Sequence, residues 1–367
     1  MGPLGWRPLG AASSLAFLLT SVSACSGGGD IRPAPPFDPA ASDPRAAVLS
    51  VAASAPDDVW LVGAQPAPAA RPLALRFDGA DWTTVDTGIL HDLWWVHAFP
   101  DGPVFLSGGG ASVLRMDDGV ATRLPTPPFF GNTVFGVWGA TPDDMWAVGG
   151  FAGRDGFVWR WNGTAWSEVG LPSDIPRTDT GELPALFKVW GRDADDVWIV
   201  GSNGTILHWD GDALAVVPSG TDAVLFTVTG SRREVVIVGG RSTGVVLRGG
   251  ESGFVDDAPV GAPLLQAVTV AADGTVWVAG EGAYAARSAR RGRWEEVDLG
   301  FETPPNSVHA LYSAPDENLW AVGGAVLTPA LNMGVVCTSD TMPTPWVPDP
   351  VVPPSTVCPP AAIDPAH

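Results

Sequence analysis

The stretch DDVWLVG at 57–63 returns as DDMWAVG at 143–149 and DDVWIVG at 195–201, and in looser form as DGTVWVAG at 273–280 and DENLWAVG at 316–323. Repetition constrains a fold more than any single motif, because each copy must be a supersecondary unit that buries its apolar face against the next copy. Alignment on the tryptophan gives equivalent positions at Trp60, Phe105, Trp146, Trp198, Val236, Trp277 and Trp320, spaced about 40 to 50 residues apart. The chain therefore holds seven units.

Each unit has the same internal grammar. In the fourth, Leu186-Phe187-Lys188-Val189-Trp190-Gly191 reads as a strand, the acidic turn around Asp193 and Asp196 follows, and Val197-Trp198-Ile199-Val200 is a second strand. Asn203-Gly204 and Asp210-Gly211 then mark two more hairpin turns, since both central residues of a type I′ turn need positive φ. The second strand is apolar on both faces and must be covered on both. The fourth, as in Trp166-Ser167-Glu168-Val169 and Trp294-Glu295-Glu296-Val297, mixes charge with apolar residues and suits the solvent side. Seven such meanders, each packed between two neighbours, predict an all-β fold: a seven-bladed β-propeller of four-stranded antiparallel blades over 46–350. The copies have drifted, the fifth unit having lost its tryptophans and the second keeping Phe105 at the motif position.

The repeat resembles the propeller repeat of predicted lipoproteins from bacteria with large genomes, and is similar to kelch repeats and to photosystem II assembly factor propellers. Trp209-Asp210 is a WD dipeptide, although the Gly-His partner of WD40 repeats is missing. These families range from assembly factors to adhesins and enzymes, so the resemblance implies a fold and not an activity.

The N-terminus carries Arg7, an apolar run at 15–22, and Val22-Ser23-Ala24-Cys25. The run is too short to span a bilayer as a permanent helix. The quartet resembles the lipobox of bacterial lipoproteins, which implies a signal peptide over 1–24, acylation of Cys25, and a flexible tether over 25–45. Ser26 in place of aspartate after the cysteine implies sorting to an outer membrane, with periplasmic or surface display both open. Three acyl chains exceed what stable anchoring requires. In such an oxidising compartment Cys337 and Cys358 are most simply a disulfide, closing a loop of about 20 residues, stabilising by roughly 3 kcal/mol and tying back the proline-rich tail at 351–367.

A formal charge of −20, with arginines that do not gather into a basic run, argues against a nucleic-acid partner, because a phosphate backbone would be repelled. No HExxH or phosphate-binding loop occurs, and no GxSxG or GxGxxG in a strand-to-helix context, the five histidines are scattered, and no cofactor or metal is expected. Asp193, Asp195 and Asp196 have the oxygens for calcium, but a feature that recurs in blade after blade suits a turn-closing role better. The reading is a monomeric, lipid-anchored, non-catalytic scaffold that binds a protein or a glycan. The alternative is a propeller hydrolase or lyase that draws isolated residues from several blades to act on an extracellular polysaccharide or peptide.

Two places for a binding site follow from the repeat. The fifth residue of each first strand is Ala52, His97, Trp138, Trp190, Thr229, Thr269 or Tyr312, and these are expected to ring one mouth of the central channel. Trp95 and Lys188 lie one layer deeper, and aromatic faces with a few donors suit a sugar or a peptide. The competing expectation is that these side chains fill the space between blades. The second place is the opposite face, where the longer insertions at 64–71, 151–156, 171–184 and 325–333 emerge.

Overall fold

A computed structural model describes residues 46–128, 131–151, 153–299, 306–314, 318–328 and 331–338. The signal peptide, Cys25, the tether, the tail and Cys358 lie outside the described residues, as does the side chain of Cys337.

The strands form seven antiparallel sheets, each a meander in chain order. In the fourth blade Leu186–Asp193, Asp196–Gly201, Ile206–Trp209 and Leu214–Val216 pair successively. The same plan occupies 48–84, 93–123, 133–168, 224–256, 265–296 and 307–338, the last with three strands among the described residues. The protein is an all-β, seven-bladed propeller. The alignment on the motif tryptophan is the register of the sheets: Ala52, His97, Trp138, Trp190, Thr229, Thr269 and Tyr312 pair respectively with Trp60, Phe105, Trp146, Trp198, Val236, Trp277 and Trp320.

Second strands need cover on both faces, and neighbouring blades supply it. Trp60 packs on Val104, Leu106 and Leu114, Trp146 on Val197 and Ile199, and Trp198 on Val235, Ile237 and Leu247, each one blade further along. Trp320 of the last blade packs on Val59, Leu61 and Phe77 of the first, which closes the ring. Backbone pairing joins the ends as well, with Ala47 N donating to Leu331 O at 2.8 Å and Ala46 bridging to Asn332. Burying one indole removes about 200 Å² from water, roughly 5 kcal/mol before entropy is subtracted.

A second repeating device was hidden in the third strands. The residue facing the motif position is Arg76, Arg115, Arg160, His208, Arg248 or Arg287 in the first six blades. The guanidinium of Arg76 lies 5.6 Å from the Trp60 ring, that of Arg160 lies 5.1 Å from Trp146, and His208 stacks on Trp198 at 4.1 Å. Guanidinium groups placed over aromatic faces in this way are held by the ring quadrupole.

These third-strand side chains explain the acidic pairs. Asp196 accepts from Trp198 Nε1 at 2.6 Å, from His208 Nε2 at 3.0 Å, and from Arg192. Asp58 likewise accepts from Trp60 Nε1 at 3.0 Å and Arg76 Nε at 2.6 Å, and Asp144 takes Arg160 through two bonds of 2.9 and 3.0 Å. Burial pushes the Asp196 pKa up, but the bonds from Arg192, Trp198 and His208 outweigh it and hold the carboxyl below its ordinary value. Turn closure by amides belongs to Asp193, whose Oδ1 accepts from Asp195 N at 3.0 Å. The second aspartate of each pair instead ties strands together through side chains, three in the first and fourth blades and two in the third.

Candidate functional site

The first strands surround the channel in three layers. At the acidic-turn end, the fifth residues reach sideways onto the adjoining blade. Tyr312 OH donates to Ala53 O at 3.2 Å, and Thr269 Oγ1 accepts from Ser313 N at 3.3 Å. Trp138 lies over Gly191 and Trp190 over Gly230, so close that a Cβ at either glycine would stand 2.5 or 2.8 Å from the indole. His97 sits edge-on to Phe99 at 4.7 Å and tilted against Trp138 at 6.5 Å. Burial pushes its imidazole down to about 4 despite a hydrogen bond to the Gly139 backbone, so it is neutral at physiological pH. His97, Trp138, Trp190 and Tyr312 are thus half-buried wedges between blades. Gly191→Ala should therefore overpack this layer and lower stability by about 1 to 3 kcal/mol, read as a shift of the urea midpoint with unchanged slope.

The middle layer joins three blades. Lys188, from the fourth, is 5% exposed; its Nζ lies 4.0 Å from the Trp95 ring centroid in the second blade and donates to Phe135 O of the third at 3.1 Å. Gly136 leaves the gap that this requires, since a Cβ there would stand 3.2 Å from the Lys188 Cα and 3.0 Å from Phe187 O. Burial pushes the ammonium down to about 7. Trp95 and Lys188 do lie together, one layer in from His97 and Trp190.

The third layer, at the start of the strands, is the one that sequence reading passed over. In every blade the pairing of first and second strands slips by one residue at the same place. The residues set out of register by these β-bulges are Leu49, Trp94, Phe135, Phe187, Phe226, Gln266 and His309. A bulge breaks the two-residue alternation and re-aims its side chain. Here the bulge side chains meet one another across blades: Trp94 to His309 at 5.9 Å, Trp94 to Phe135 at 5.4 Å, Phe135 to Phe187 at 5.4 Å and Phe187 to Phe226 at 5.7 Å. An arc of five rings results, each partly open to solvent. A signal existed in the sequence, since Leu93-Trp94-Trp95-Val96, Val134-Phe135-Gly136-Val137, Leu186-Phe187-Lys188-Val189 and Leu225-Phe226-Thr227-Val228 share an aromatic second place.

His309 closes the arc. Its Nδ1 lies 2.6 Å from Leu49 O; a carbonyl only accepts, so Nδ1 carries the proton and Nε2 is the acceptor. Burial, with the charge of Lys188 nearby, pushes its pKa down to about 4.

The arc belongs to the loop-rich face. A cleft of about 570 Å³ adjoins it, lined by Trp94 together with Gln65, Asp92, Arg123, Thr126 and Thr133. Leu90, Phe151, Val260, Leu327 and Met333, five exposed large apolar side chains, stand on or beside the connections of this same face. Isolated exposed apolar residues are ordinary, but several on one face beside an arc of aromatic rings make this face the candidate contact surface.

No family model and no curated protein matches the chain. Among solved structures it is similar to the WD40 β-propeller domain of Doa1, with a TM-score of 0.60 at 9% identity over 77% of this chain and 91% of that one. YCF48 from Cyanidioschyzon merolae gives 0.59 at 16% identity over 77% and 95%. The extracellular domain of the putative hybrid two component system BT3049 from B. thetaiotaomicron gives 0.57 at 11% identity over 76% of this chain and 38% of that one. At such identities the likeness is one of fold, and it defines a WD40-like seven-bladed β-propeller.

Proposed function

We propose that this propeller is a non-catalytic scaffold of the bacterial cell envelope that docks a protein partner on its loop-rich face. Acylated Cys25 and the tether at 25–45 would hold it to the outer membrane, in the periplasm or at the surface, with the Cys337–Cys358 disulfide tying back its tail. The aromatic arc from His309 to Phe226 carries the reading, because a rigid apolar cup rimmed by exposed side chains is what an inserted aliphatic or aromatic anchor needs. The acidic pairs that a hydrolase or lyase would draw upon serve as ties within their own blades. The closed ring of blades supplies rigidity.

Site-specific photo-crosslinking in cells tests this directly. A crosslinker at Phe187 or Phe151 should capture a discrete protein, and one at Asp195, on the acidic-turn face, should not. Capture from Asp195 alone would refute the assignment of the face. Mass spectrometry of the mature N-terminus should find an acylated Cys25, and an unmodified N-terminus elsewhere would remove the anchor.

A further inference from the structure

The sixth blade departs from its siblings in three respects that converge. Trp60, Trp146, Trp198 and Trp320 are fully buried, whereas Trp277 at the same position keeps a solvent-accessible part. The hairpin between the third and fourth strands, Ala285–Arg290 and Arg293–Glu296, carries Arg287, Arg290, Arg291 and Arg293 within seven residues. This corrects the reading that the chain has no basic run. Arg290 and Arg293 also stand directly opposite each other as cross-strand partners.

Like charges placed opposite one another destabilise a hairpin. Other third-strand arginines avoid this by pairing: Arg76 with Asp58, Arg160 with Asp144, and Arg248 with Glu234 and Asp257. Arg287 pairs with Glu295, and Arg291 with Glu234. Arg290 and Arg293, both exposed, have no carboxylate partner among the described residues. Two unneutralised guanidinium groups in a chain of formal charge −20 lack an anion that the surrounding chain could readily have supplied.

Between this hairpin and the seventh blade lies a cleft of about 640 Å³, lined by Trp277, Arg290, Arg293, Thr275 and Ser313. Its volume lies within the usual range for small-ligand sites. Asp273 and Glu295 also border it. Two carboxylates would repel a densely charged polyphosphate, yet they accept hydrogen bonds from hydroxyl groups. Guanidinium forks, meanwhile, match the planar geometry of a carboxylate. The Arg287 guanidinium lies 5.5 Å from the Trp277 ring, and the part of the indole left accessible offers an apolar surface to a sugar ring.

We infer that this cleft binds an acidic oligosaccharide, with a uronate carboxylate held by Arg290 and Arg293, ring hydroxyls donating to Asp273 and Glu295, and a sugar face against Trp277. The site lies on the acidic-turn side of the propeller and does not depend on the loop-rich face.

Calorimetric titration of the purified full-length protein with trigalacturonate tests it, with its methyl ester, maltotriose and hexaglutamate as comparisons. Trigalacturonate should bind and quench tryptophan fluorescence, the ester and maltotriose should bind at least tenfold more weakly, and Arg290→Gln/Arg293→Gln should cost at least tenfold in affinity. The double variant changes only exposed side chains, so its melting temperature should be equal or higher. Absence of binding by the wild type, unchanged affinity in the double variant, or hexaglutamate binding as tightly as trigalacturonate would overturn the inference.

Discussion

Asp196→Ala is expected to lower the unfolding free energy by about 3 to 5 kcal/mol, while Asp195→Ala, one residue earlier in the same acidic pair, should stay within about 0.5 kcal/mol. The difference follows from what each carboxylate touches. Asp196 receives Arg192, Trp198 Nε1 and His208 Nε2, and its removal leaves the indole and the imidazole without this acceptor and Arg192 with Ser231 O alone. Asp195 has an exposed backbone bond to Asp193 and lies against Gly211. Urea unfolding of the two variants would show the contrast as well-separated midpoints at similar slope. Equal effects would mean that the pair acts as a unit, as a ligand site would.

The second large effect concerns Lys188, the one lysine in the chain. Its folded pKa is depressed to about 7, against about 10.4 when unfolded. Between those values the unfolded chain holds a proton that the folded chain has released, so stability must rise as pH rises through this window. From pH 7 to 10 the gain should be on the order of 4 kcal/mol, and Lys188→Met should abolish the rise while preserving packing against Trp95. Toward acid the sign is the same. His97 and His309, both held near 4 by burial, stay neutral in the fold where the unfolded chain takes protons, so stability should fall as pH drops from about 6.5 to 4. Denaturant titrations at pH 5, 7 and 9.5 check both. A wild-type profile flat above pH 7 would show that water reaches the Lys188 amine.

The repeat made much of this molecule legible. Blade number, strand order and the pairing of Trp138 with Trp146 or Trp190 with Trp198 can be read from spacing, because a recurring unit must pair with itself in the same way each time. Direction was less legible. For the aromatic residues of the first strands the sequence left both the channel mouth and the space between blades open, and Trp138 and Trp190 turn onto Gly191 and Gly230 of the next blade, glycines that are remote in sequence. The bulge ring escaped because an extra residue shifts the alternation on which face assignment depends, although the aromatic second place recurs in four blades.

By itself, then, the sequence determined that the chain is all-β, that it is built seven times over, and that DDVWIVG is a structural device, since backbone turns and apolar second strands leave their mark residue by residue. Only the tertiary structure decided which side chains meet. Trp94, Phe135, Phe187 and Phe226 come from separate blades and join because seven equivalent bulges lie around one axis. Trp277 reads like its four buried equivalents, and only its packing leaves part of it open beside Arg290 and Arg293. Contacts between blades depend on register and on what the neighbour omits, and neither is written in the local pattern.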